Sequence, residues 1–138
     1  MDEYQILALF NSSLISNAIY LASFVFLLWM AFRGVNSCTE MGANVVQKVL
    51  SSLFSLSVVY FNLFVFGLLN NLQQTTAYNL AQLETISPGS QQLVDFFGGG
   101  SELPEFSLIP ADPIAIIFFI VILISLLVPT WMAPEPKQ

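Results

Sequence analysis

VVQKVLSSLFSLSVVYFNLFVFGLLNN, residues 45–71, decides the fold. The run is long enough to cross a bilayer core as a helix, which takes about 20 residues. Ser51, Ser55 and Asn62 recur about one helical turn, or a multiple of it, apart, with Ser52 alongside. At helical pitch they share a face, and the remainder is Leu, Val and Phe. Lipid tails cannot hydrogen-bond a hydroxyl or an amide, so this face is expected to point at protein.

Composition extends that reading to the whole chain. Of 138 residues, 56% are hydrophobic and 9% are charged. Soluble domains carry about 25% charged residues, so the chain reads as an integral membrane protein forming a single unit. Nine acids against three bases leave a net charge of -6, which disfavours nucleic acid as a partner. With no His and a single Cys, Cys38, the usual general base, imidazole ligation and Cys-rich metal sites are all missing. No cofactor is expected beyond bound lipid. The acidic start MDEYQ, followed by a long apolar run, is unlike a cleavable signal and is expected to be retained.

Two more spans flank the central one. Residues 6–32 form an apolar run whose first half carries Ser13, Ser16, Asn17 and Tyr20 on one side. Trp29 then Arg33 reads as its interfacial end. Gly34 and Asn36 are expected to stop this helix, and Gly42 or Asn44 to help start the next. So short a connector makes an antiparallel hairpin. The second span covers about 46–71, and residues 72–86 continue it beyond the membrane or form a separate surface helix. Ser87-Pro88 is expected to cap a short helix over QQLVDFF, ended by Gly98-Gly99-Gly100. Asp112-Pro113 opens the third span, 113–131, which is apolar all round up to Pro129 and Trp131. The fold class is therefore all-α, with three transmembrane helices and a partly helical outer segment, 72–112, between the second and third.

Basic residues bias short loops to the cytoplasmic side. Arg33 and Lys48 flank the first connector and Lys137 lies in the C-terminal tail. All three agree with the N-terminus outside and the C-terminus inside, in a bacterial or archaeal cytoplasmic membrane or an organelle inner membrane. Trp29 and Trp131 then share the inner interface.

The chemistry-bearing residues fall in two groups. The polar seam is Ser13, Asn17, Tyr20, Ser51, Ser55 and Asn62. Asn17 and Asn62 each lie about 5 Å to the outer side of their span midpoints at 1.5 Å per residue. They are expected to bond each other or to line a shared seam, chiefly for helix packing. Tyr20 and Tyr60 are expected to turn their hydroxyls toward it. The Ser residues with Gly67 allow a close backbone approach. No His or Lys stands near inside the membrane to activate a nucleophile. The second group is an outer docking segment with Glu84, Asp95, Glu102 and Glu105. Its carboxylates suit hard cations, but it has no EF-hand loop pattern, and its triple glycine follows no strand.

These features lead to a non-catalytic accessory subunit, partnered by larger integral membrane subunits and lipids. It would pack through its Ser/Asn faces and cap the complex on the outer side. The alternative is a homo-oligomeric pore or small transporter of holin-like topology, with the Asn17/Asn62 seam facing water. Three-span phage holins share the arrangement of termini; the long outer segment and the nearly uncharged tail depart from them.

Overall fold

A computed structural model describes residues 1–100 and 102–136. It is all-helical, with no strand among the described residues. Helices α1 (Glu3–Met41), α2 (Val45–Ala81) and α4 (Pro113–Met132) are long and apolar enough to cross a membrane. A shorter helix, α3 (Pro88–Phe97), lies between α2 and α4 in the chain.

Local chemistry sets most of the boundaries. Before α1, Gln5 N–H donates to Asp2 Oδ1 at 2.8 Å and Asp2 N–H to Gln5 Oε1 at 3.3 Å. Asn44 and Gln47 repeat the reciprocal pair before α2, both bonds at 2.9 Å. Each pair satisfies orphan donors of a first helical turn. Ser87 caps α3, with Pro88 at its first position, and Asp112 caps α4, with Pro113 likewise.

One boundary differs from expectation. Gly34 and Asn36 do not stop α1, which continues to Met41. A mid-helix glycine costs only about 1 kcal/mol. Burial of Ala31 and Val35 against Val59, Ile122 and Leu126 offsets it. The stop falls at Gly42, whose φ of 80° suits glycine. Helix α2 runs unbroken to Ala81, so of the two arrangements expected after residue 71 the chain takes the first, with residues 72–81 extending the second helix.

Contacts divide the chain into two units, since both long helices contribute a segment to each. The first comprises Met1–Tyr20 and Val65–Leu108. Its apolar centre is Ile6, Leu80 and Val94, one residue from each of α1, α2 and α3. The second comprises Leu21–Phe64 with the described part of Ile109–Gln138. Its centre is the Ala31, Val35, Val59, Ile122 and Leu126 cluster. On α4, Ile122, Leu126 and Thr130 form the buried stripe, one residue per helical turn. Ile117, Phe118, Val121, Ile124 and Val128 face outward. Such an apolar outer face is what hydrocarbon tolerates, and the three apolar helices are consistent with an integral, multi-pass membrane protein.

Candidate functional site

The seam residues are best taken one at a time. In the first unit, Asn17 of α1 is 9% exposed and donates through Nδ2 to the Val65 carbonyl of α2 at 3.3 Å. In the second, Asn62 is 8% exposed. Its Nδ2 donates to Val58 O at 2.9 Å and to Phe24 O at 3.5 Å. Each amide donates to main-chain oxygen, the arrangement that makes a buried polar group tolerable in an apolar surround.

The remaining seam residues diverge. Ser55 is buried, and its Oγ has no partner among the described residues. Ser51 and Ser13 are half-buried, while Tyr20 and Tyr60 are exposed. Ser52 accepts a hydrogen bond from Trp131 Nε1 at 3.1 Å, within the second unit. Around Asn17 opens a groove of about 390 Å³ between the α1 and α2 segments of the first unit. Its polar wall includes Ser12, Ser13, Ser16, Tyr20 and Thr75, with Asn71 at the edge.

Two polar clusters escaped the sequence reading. In the first, Lys48 Nζ donates to the Ala133 carbonyl at 2.5 Å and to the Trp131 carbonyl at 3.5 Å. These are free carbonyls at the C-terminal end of α4, where partial negative charge collects. Arg33 lies over the Trp29 ring, 5.7 Å from its centroid. Ala43 N–H donates to Pro134 O at 2.8 Å, tying the connector to the tail. Lys137, used above for orientation, lies outside the described residues.

The second cluster sits at the start of α3. The Glu3 carboxylate accepts from Ser87 N–H at 3.1 and 3.2 Å, and from the Ser87 and Ser90 hydroxyls at 2.5 Å each. Glu3 stands in the first turn of α1, ahead of the apolar run. The Ser87 hydroxyl, then that of Ser90, holds its carboxyl below the ordinary carboxylate range. No local pattern signals this pairing, because the partners lie 84 and 87 positions apart.

The four acids of the docking segment, Glu84, Asp95, Glu102 and Glu105, are exposed, and Asp95 Oδ1 accepts from Gln91 Nε2 at 2.9 Å. Among the described residues, no three His, Cys, Asp or Glu side chains come together in a metal-binding group. Phe96 is 82% exposed and Leu103 62%, both flanked by these acids. Gly67 admits the close approach anticipated for it. What approaches is the Ser107 carbonyl of the non-helical segment, 2.6 Å from where a Cβ would stand. No protein-family model, curated protein or solved structure matches the chain.

Proposed function

We propose that the chain is a non-catalytic accessory subunit of a larger membrane complex. It docks through the surface that carries Phe96, Leu103 and Phe106 among Asp95, Glu102 and Glu105. The observation that carries this reading is Leu103 and Phe106 exposed on a segment that hydrocarbon does not accept, with Phe96 exposed at the end of α3. Residues 102–112 lack helical or sheet pairing, so their backbone N–H and C=O groups require water or protein. In that setting exposed Phe and Leu side chains beside carboxylates support a protein contact. The internal satisfaction of Asn17 and Asn62 moves the docking role from the Ser/Asn faces to this segment.

In this reading residues 72–112 lie on the outer side and cap the partner. Arg33 and Lys48 mark the cytoplasmic side, the N-terminus is outside and the C-terminus inside. The membrane is a bacterial or archaeal cytoplasmic membrane or an organelle inner membrane. The pore alternative requires Asn17 and Asn62 to face water, whereas both are buried with their donors engaged.

The test is purification from native membranes in mild detergent, with the wild type beside Phe96→Ser/Leu103→Ser. Unrelated larger chains are expected in constant ratio with the wild type and depleted with the variant. Recovery of a monomer, or of this chain alone as an oligomer, would refute the reading. Labelling of a cysteine placed at Asp95 from the cytoplasmic side would refute the orientation.

A further inference from the structure

The groove beside Asn17 holds hydroxyls that the protein itself does not use. Several helical hydroxyls elsewhere are satisfied within one turn, although that of Ser55 is not. Ser57 donates to Leu53 O, Thr76 to Leu72 O and Thr130 to Leu126 O, at 2.7–2.9 Å. The hydroxyls of Ser12, Ser13, Ser16, Tyr20 and Thr75 have no partner among the described residues, and all five line one groove. Asn17 and Asn71, which also line the groove, each use one Nδ2 donor internally, on Val65 O and Pro104 O. Leu68 and Leu72 supply its apolar floor.

Three features select the occupant. The first is charge: among the described residues no Lys, Arg, Asp or Glu lines the groove, so a phosphate or an ammonium would enter without a counter-charge. The second is size: about 390 Å³ falls in the range of small-molecule sites, about 300–1,000 Å³. The third is length. The lining runs from 12 to 20 on α1 and from 68 to 75 on α2, about two helical turns, or roughly 12 Å at 1.5 Å per residue. A partner helix crossing about 30 Å of hydrocarbon would need a far longer seam. On the same stretch of α1, Leu9, Ile15 and Ile19 are exposed and apolar.

We infer that this groove binds the uncharged, hydroxyl-rich headgroup of a membrane lipid, a sugar or glycerol moiety. Its hydroxyls exchange donors and acceptors with the ligand's, and the absence of charge excludes anionic phospholipids. This binding does not depend on the docking surface described above.

The test uses the purified full chain in micelles containing equal amounts of glucosyl-dioleoylglycerol and dioleoylphosphatidylglycerol, with retained lipid read by native mass spectrometry. The wild type is expected to retain the neutral glycolipid by about tenfold, equivalent to about 1.4 kcal/mol. The Ser13→Ala/Ser16→Ala/Thr75→Val variant is expected to fall to near parity. It removes no internal hydrogen bond, so its helix content should be unchanged; Ser12→Ala alone, expected to lose part of the preference, serves if the triple variant does not fold. Equal retention of the two lipids by the wild type overturns the proposal. So does an unchanged preference in the variants, or binding of free glucose without retention of the glycolipid.

Discussion

Lys48 Nζ lies 2.5 Å from the Ala133 carbonyl oxygen, so one of the chain's three basic side chains closes the C-terminal end of α4. A cation there meets unpaired carbonyls and the negative end of the helix dipole. Lys48→Met keeps the stem and removes the charge. It is expected to lower stability by about 1–2 kcal/mol, the upper part of the range for such contacts. Thermal unfolding in detergent measures it. An unchanged midpoint would show that the carbonyls find water as readily as the ammonium.

Gly67 has no room for a methyl group. A Cβ there would stand 2.6 Å from Ser107 O and 3.2 Å from two atoms of the Phe106 ring. The ring can turn aside; the carbonyl belongs to the backbone. Gly67→Ala is expected to cost about 1–3 kcal/mol, as overpacking does, despite alanine's better helix propensity. Hydrogen exchange should show the loss in residues 102–108. A stabilised variant would mean that this segment does not rest on α2.

Asn17 and Asn62 use different acceptors, Val65 O for one, and Val58 O with Phe24 O for the other. Asn17→Leu and Asn62→Leu are each expected to destabilise by about 0.6 kcal/mol, the average for such bonds in a membrane protein. The double variant should equal the sum, because no acceptor is shared. Coupling well beyond experimental error would tie the two amides to a common network.

Ser55 is buried with an unpaired Oγ, and an unsatisfied buried group costs about 1–3 kcal/mol. Ser55→Ala is therefore expected to be neutral or stabilising by up to about 1 kcal/mol, with helix content unchanged. A clear loss of stability would reveal a partner for the hydroxyl.

Glu3 makes the attachment between α1 and α3 sensitive to acid. Its folded pKa is depressed by the Ser87 and Ser90 hydroxyls. The stabilising contribution is present above the carboxyl's ordinary value and is lost as pH falls through the lowered folded value. Amide exchange in α3 should accelerate on acidification relative to α4. Glu3→Gln should show the faster exchange already at neutral pH and lose the dependence. Identical profiles for wild type and variant would remove Glu3 from the attachment.

Whatever depends on near neighbours in the chain was legible from residue order. The three spans follow from runs of apolar residues, and the starts of α3 and α4 from Ser87-Pro88 and Asp112-Pro113, because a cap acts within one helical turn. The end of α1 was misjudged at Gly34 because helix propensity is a weak term beside burial of Ala31 and Val35, and that burial depends on residues far along the chain. Long-range partners were equally out of reach: Glu3 with Ser87, Lys48 with Ala133, and the groove hydroxyls of α1 with Thr75 of α2. Sequence alone determined that polar groups in these spans need an answering surface. Which are answered from within, as at Asn17 and Asn62, and which stay open, as at Ser12 and Ser16, was decided by tertiary packing, because a hydrogen bond needs both atoms brought to about 3 Å.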